Sequence, residues 1–341
     1  MEKVTKTQDK HAVIKVPETP VPSDKQTHTQ IVGRRGILAL IQALRPRQWT
    51  KNLAVFIGLV FAGRLFSQTD FERALLAFFT FCLASSCIYL LNDLLDLQND
   101  RQHPVKRNRP LASGRLPISW AIAAIGVLLL GCTLLIWQIF QLPLSGTSDM
   151  YAKVGGSNLL FALTVVGYLL MMVLYGIHLK HIVLIDVFII ASGFVLRILA
   201  GAIVVPVYIS PWLYIVTSQL SLFLALCKRR NELILLQGQA SNHRQILKEY
   251  SIPMLDQMIT IVVTTTIMAY SLYTFQGPTG NHRLILTLPL VLYGLFRYLY
   301  LVYMKGDGGS PEEILLRDPH MIGTVLLCTG VIVTVLYLLP Q

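Results

Sequence analysis

Between Asn92 and Arg109 the chain reads NDLLDLQNDRQHPVKRNR, a run of carboxylates followed by a run of cations. Asn92, Asp93, Asp96 and Asp100 offer hard oxygen ligands, and Arg101, Lys106, Arg107 and Arg109 follow closely. At ~100° per residue, positions four apart drift only ~40° around a helix. Asn92, Asp96 and Asp100 therefore stack on one face, with Asp93 beside it. Hard oxygens at a helix end, with cations just beyond, make a Mg²⁺ site for a diphosphate. The bland reading of such a charge run is a solvated helix end. Carboxylates in a last turn oppose the helix dipole and repel one another, so they require a compensating cation.

The elements that must position this stretch are apolar. The chain has 341 residues, 54% hydrophobic and 14% charged, where soluble domains carry roughly 25% charged residues. Mean hydropathy is +0.58. The apolar residues fall in long blocks, which defines an integral membrane protein. A net charge of +11 would fit a nucleic-acid binder, but basic residues beside membrane spans follow from topology alone, so no nucleic-acid partner is expected. Cys82, Cys87, Cys132, Cys227 and Cys328 lie in or at the ends of apolar runs without CxxC spacing. They read as buried, inert thiols.

Residues 1–36 are polar and rich in Lys, Thr, Gln and Pro, and read as a disordered cytoplasmic tail without a cleavable signal peptide. Residues 37–341 form one transmembrane domain, opened by an interfacial helix near Ile37–Leu44. Arg45-Pro-Arg-Gln-Trp-Thr-Lys-Asn52 follows, either as an interface anchor or as ordinary basic flanking. Nine apolar runs, at roughly 52–66, 73–94, 117–140, 157–175, 182–204, 210–227, 254–275, 284–303 and 320–339, approach the length that crosses ~30 Å of hydrocarbon. The loops alternate between Lys/Arg-rich and Lys/Arg-poor, the poor ones holding Arg73, Lys153 and Arg283. This places the N-terminus and every polar motif on the cytoplasmic side.

Further polar residues stand at membrane depth. Asp186 and Arg197 share a helix face, ~16 Å apart along the axis. Ionisable residues in a span default to functional or paired roles, so Arg197 fits either an internal ion pair or a contact to an acceptor phosphate. His178 and His181 read as interface histidines. Ser192-Gly193 and Ala200-Gly201-Ala202 suit close helix packing. Lys228-Arg229-Arg230 could cap a helix end or bind phosphate. Ile246, Leu247 and Tyr250 give the long loop that follows an amphipathic character suited to a lid. Ser310-Pro311-Glu312-Glu313 reads as a capping box, and Gly308-Gly309 does not make a phosphate loop.

Together these residues resemble the UbiA-type prenyltransferase superfamily. Asn92, Asp93, Asp96 and Asp100 match its N-D-x-x-D-x-x-x-D motif without gaps. In place of the second motif, D-x-x-x-D, stand Tyr175, Lys180 and Asp186. That departure, with the segments Arg45–Asn52, His103–Gly114, Tyr175–Asp186, Lys228–Glu232 and Ser310–Asp318, resembles the phosphoribosyltransferase branch, from Leu44 to the final span. The resemblance implies an all-α protein of about nine transmembrane helices around a central cavity. It implies Mg²⁺ on Asn92, Asp93, Asp96 and Asp100, with Asp93, Asp96 and Asp186 catalytic. It implies Arg45, Lys51, Asn52, Lys106, Arg107, Arg109, Tyr175, Lys180, Arg197 and Arg229 as substrate-binding residues. The donor would be 5-phosphoribosyl 1-diphosphate (PRPP) and the acceptor a long, decaprenyl-type polyprenyl phosphate. The product would serve cell-envelope polysaccharide synthesis at the plasma (inner) membrane. A homo-oligomer stays open. Two rival readings are a prenyltransferase acting on an apolar acceptor, and a transporter coupled through Asp186 and Arg197.

Overall fold

The structure, a computed structural model, describes residues 36–144, 151–208, 210–236, 245–276, 282–306, 308–309, 314 and 317–339. The N-terminal tail up to residue 35 and the Ser310–Glu313 capping box lie outside the described residues. Among the described residues there is no strand.

The chain opens with helix α1 at residues 36–44, a 3₁₀ segment at Pro46–Val55 and the six-residue α2 at Phe56–Phe61. There follow α3 (Gln68–Leu95), α4 (Leu97–Gln102), α5 (Ile118–Gln141), α6 (Ser157–Ile177) and α7 (Ile185–Val204). The second half holds α8 (Pro211–Leu236), α9 (Ile252–Gln276), α10 (Leu288–Met304) and α11 (Pro319–Val333). Among the described residues, seven helical stretches are long and apolar enough to cross a membrane: α3, α5, α6, α7, α9, His282–Met304 around α10, and Pro319–Leu338 from α11. The two remaining runs of the expected nine differ for separate reasons. Residues 52–66 fold as a 3₁₀ segment and a short α2, which ends at the left-handed Gly63. Helix α8 has the length, but Ser218, Gln219, Ser221 and Lys228–Arg230 dilute its apolar character.

Between Ala74 and Leu91 helix α3 carries no charged residue, and it is the most buried of the spans, as an uncharged helix core should be. It packs on α5, α6, α7 and the 3₁₀ segment, while α7 continues to α2 and α8, α8 to α9, and α10 to α11. One core cluster joins the 3₁₀ segment, α2, α3, α5, α6 and α7 through Val55, Leu59, Phe81, Ile139, Phe161 and Ala202. A second joins α7 to α8, α9 and α10 through Val187, Phe223, Leu255 and Tyr298. Helix α7 belongs to both. Its closest approach is at Gly201, where a β-carbon would lie 1.9 Å from the Val55 carbonyl oxygen. Only glycine permits that backbone-to-backbone contact.

Arg73, expected in an outer loop, instead lies fully buried within α3. Its guanidinium donates to the carbonyls of Val204 (2.7 Å), Ile139 (3.1 Å) and Leu142 (2.9 Å), and to Asn158 Oδ1. Terminal carbonyls of a helix lack intrahelical partners and attract cations. One side chain thus ties the ends of α5 and α7 to α6, at the end of the bundle opposite the acidic motif.

Candidate active site

The acidic motif does not sit on one unbroken helix. Helix α3 ends at Leu95, Asp96 takes φ −92°, ψ 8°, and α4 restarts at Leu97. Four-residue hydrogen bonds persist on either side, Asp96 N–H to Asn92 O at 2.9 Å and Asp100 N–H to Asp96 O at 2.8 Å. The break separates Asp93, on α3, from Asp100, on α4.

Each carboxylate meets a cation from another part of the chain. Arg45 Nη2 lies 2.5 Å from Asp93 Oδ1. Arg109 Nη1 bridges Asp93 Oδ1 at 3.1 Å and Asp100 Oδ2 at 2.6 Å. Lys180 Nζ lies 2.6 Å from Asp96 Oδ1. Arg45 is held in a left-handed conformation (φ 54°, ψ 57°) before Pro46, with its guanidinium over the Tyr89 ring. Such backbone costs about 1–3 kcal/mol and persists only where its surroundings demand it. Here the ion pair and the ring are those surroundings.

A second pair lies beside the first group. Asp186, in the first turn of α7, is fully buried. Its Oδ1 accepts from the Tyr250 hydroxyl at 2.7 Å and its Oδ2 lies 2.6 Å from Arg229 Nη2. Arg229 also holds Glu232, and Tyr175 stands half-buried in the last turn of α6. Arg230 pairs with Asp256 at 2.6 Å and stacks 4.1 Å from the Tyr303 ring, whose hydroxyl also donates to Asp256. Both arginines at the end of α8 therefore serve carboxylates. These contacts join the C-terminal ends of α3, α6, α8 and α10 to the N-terminal ends of α7 and α9, so the site lies at one end of the bundle.

The donor set suits Mg²⁺, which prefers carboxylate and amide oxygens. Asn92 Oδ1 and Asp93 Oδ2 are buried without a hydrogen-bond partner. Buried oxygens in that state are rare and call for a ligand or a role. Asn92 Oδ1 packs against Gly176, where a β-carbon would lie 2.3 Å away. Among the described residues no three His, Cys, Asp or Glu side chains stand close enough to hold a metal together. Arg45, Arg109 and Lys180 hold these carboxylates instead. A metal would bind here by displacing those cations.

Other sequence candidates are placed differently. Asn52 and Arg197, read as substrate-binding, are buried and face each other: Arg197 Nε donates to Asn52 Oδ1 at 2.7 Å. Arg197 also donates to Gly193 O at 2.6 Å and to the Tyr168 hydroxyl at 2.8 Å. Asn52 Nδ2 reaches Cys82 and Ser85. Among the described residues Arg197 forms no internal ion pair. Its donors are taken by neutral groups, and it does not pair with Asp186. Lys51 and Lys106 are half-buried and Arg107 is exposed. His103 caps a turn, accepting from the N–H groups of Val105 and Lys106. In the loop read as suited to a lid, Ile246, Leu247 and Tyr250 are buried in the core around α7, α8 and α9. Gly308 abuts the Cys227 carbonyl and Asn231, which accounts for a glycine there by packing. The Tyr250 hydroxyl and the Arg230–Asp256–Tyr303 group were not legible as site residues. Spacing carries no signal for partners this far apart.

The described residues thus form an all-helical membrane bundle with a carboxylate and cation cluster at one end. Residues 52–312 match the UbiA prenyltransferase family, and the chain belongs to that family. It is 31% identical over 309 residues to the decaprenyl-phosphate phosphoribosyltransferase of Corynebacterium glutamicum, covering 89% of this chain and 88% of that one. It is also 31% identical over 314 residues to the decaprenyl-phosphate phosphoribosyltransferase of Mycolicibacterium smegmatis, covering 88% and 93%. A solved UbiA homolog from Archaeoglobus fulgidus, bound to GPP and Mg²⁺, shares the fold with a TM-score of 0.63 at 16% identity, over 87% of this chain and 100% of that one.

Proposed function

We propose that the chain transfers the 5-phosphoribosyl group of PRPP to a decaprenyl-type polyprenyl phosphate, releasing diphosphate, with Mg²⁺ as the metal. The observation that carries this reading is the number of cations held by the acidic motif and by Asp186. Arg45, Arg109, Lys180 and Arg229 each already grip a carboxylate. PRPP bears phosphate at both ends of its ribose and needs more cations than a prenyl diphosphate does. The names of the relatives support the same donor and acceptor.

When bound to Asp93, Asp96 and Asp100 beside Asn92, Mg²⁺ would neutralise the departing diphosphate. The side chains do the rest. Arg45, Arg109 and Lys180 turn from their carboxylates to phosphate oxygens, and the forked guanidinium suits that geometry. Asp186 and Arg229 address the ribose end, Asp186 accepting from a ribose hydroxyl and Arg229 facing the 5-phosphate. Lys51, Lys106 and Arg107 extend the positive field for an anionic donor. The acceptor phosphate is already an anion, so no strong general base is required. Placement in line with C1 supplies most of the acceleration, and a single displacement inverts C1. The site faces the cytoplasm at the plasma (inner) membrane, where the soluble donor is available, and the product serves envelope polysaccharide synthesis.

The test uses membranes holding the protein, Mg²⁺, a polyprenyl phosphate and PRPP labelled in the 5-phosphate. Label should enter the lipid phase, and should fail to do so with EDTA. Folded protein that gives no labelled lipid across several chain lengths overturns the reading. Prenyl diphosphates with aromatic acceptors would then be the substrates to try.

A further inference from the structure

Leu184 lies two residues before Asp186 and adopts φ 68°, ψ −42°. For a residue with a branched side chain that backbone is strained by about 1–3 kcal/mol. Its N–H donates to the Tyr250 hydroxyl at 2.7 Å. The same hydroxyl donates to Asp186 Oδ1, also at 2.7 Å. One oxygen, arriving from 64 residues further along the chain, therefore holds both the strained turn and the buried carboxylate. The Tyr250 ring is buried with Ile246 and Leu247 against the core around Val187 and Phe223. Apolar packing aims the hydroxyl. Burial first, and the Asp186 carboxylate second, push the phenol well above the usual tyrosine range, so it remains a donor. With Oδ1 occupied by a neutral donor, Asp186 presents only Oδ2 to Arg229.

The geometry points to Tyr250 as a positioning residue for transfer: it fixes the carboxylate of Asp186 and, through it, the guanidinium that Arg229 offers to the donor. This rests on the reading above, in which Asp186 and Arg229 serve PRPP. Tyr250 itself touches no reacting atom. It orients a group that does, in the way that outer partners orient metal or substrate ligands. A hydroxyl that merely stabilised the fold would act on the melting temperature and leave the kinetic behaviour of Asp186 unaltered.

The experiment compares wild type, Tyr250→Phe, Asp186→Asn and the double variant as full-length protein in nanodiscs. Tyr250→Phe keeps the ring and its packing. Its kcat/KM for PRPP should fall about 10- to 100-fold, the usual range for such outer partners. The double variant should be no slower than Asp186→Asn alone, because both changes act on one group. Losses that multiply, or wild-type kcat/KM in Tyr250→Phe, overturn the proposal. Hydrogen exchange at the Leu184 amide supplies a readout that needs no substrate. It should accelerate in Tyr250→Phe and not in a surface control such as Lys153→Gln. Wild-type protein that transfers no phosphoribosyl group defeats the assignment of the donor. In that case unchanged Leu184 exchange separately overturns the positioning role, and accelerated exchange supports it.

Discussion

Lys180 Nζ donates to Asp96 Oδ1 at 2.6 Å, joining the α6–α7 connection to the break after α3 across 84 residues. Lys180 is mostly buried on a three-residue 3₁₀ turn, Leu179–His181. The lysine occupies the oxygen that a metal would need, and it is also a cation that a phosphate would want. Removing it should move the two ligands in opposite directions. In Lys180→Met, Mg²⁺ should bind the free protein more tightly, because Asp96 is released. The donor should bind about tenfold or more weakly, because a charge-assisted contact is lost. Titration calorimetry with Mg²⁺ alone, then with PRPP at saturating Mg²⁺, reads both. Weaker binding of both ligands would show that Lys180 is only a structural support.

Asp93 and Asp96 should separate when neutralised. Asp93 is 2% exposed and holds Arg45 and Arg109, while Asp96 is 24% exposed and holds only Lys180. Breaking a buried pair by removing one partner costs about 3–5 kcal/mol, and much less near water. Asp96→Asn should therefore abolish transfer and leave the fold intact. Asp93→Asn should lose transfer and also melt several degrees lower. Circular dichroism melts beside the labelled-PRPP assay distinguish them. Normal turnover by Asp96→Asn would remove the metal site from the mechanism.

The acidic motif was readable because its chemistry is local: four oxygens at fixed spacing beside an apolar run. The apolar blocks were readable for the same reason, apart from residues 52–66, whose 3₁₀ backbone leaves no mark on composition. Which cation meets which carboxylate was not readable. Arg45 reaches Asp93 across 48 residues, and no periodicity encodes that. The helix break at Asp96 was also hidden, since residues 92–100 keep a helical pattern throughout. The partners of Arg197 were equally hidden. An arginine in a span reads as functional, yet its partners are an amide, a phenol and a carbonyl. Neutral partners for a buried cation carry no sequence signature.

That difference makes Arg197 a test of structure against substrate binding. Arg197→Met should leave the buried Asn52 Oδ1 without the donor it now accepts from, at roughly 1–3 kcal/mol, while the Gly193 carbonyl keeps its backbone partner within α7. Tyr168, whose ring lies 4.9 Å from the guanidinium, would lose a stacking partner too. The variant should lose stability in detergent while the folded fraction keeps a near-normal KM for both substrates. Asn52→Ala should show the same pattern, and the two together should cost less than their sum. A raised KM for the polyprenyl phosphate with unchanged melting would return Arg197 to the acceptor site.

Asp318 gives a pH dependence of known sign. Its carboxylate accepts from Arg297 Nε at 3.2 Å and Nη2 at 2.8 Å, and from the Met321 N–H at 2.9 Å as the N-cap of α11. The Arg297 hydrogen bonds lead, and the capped N–H assists, in lowering its pKa to about 2, from about 3.9 in an unfolded chain. A depressed folded pKa means that the unfolded chain takes up a proton first as acid is added. The stabilisation is complete above about pH 4 and is lost as pH falls from there through about 2. Asp318→Asn should therefore melt below wild type by a constant margin from pH 8 to 5. The margin should narrow steadily below pH 4, as wild type surrenders the advantage that the variant never had. A margin that instead shrinks between pH 8 and 6 would assign the effect to another group, and the Arg297–Asp318 pair would drop out of the account of how α11 is held.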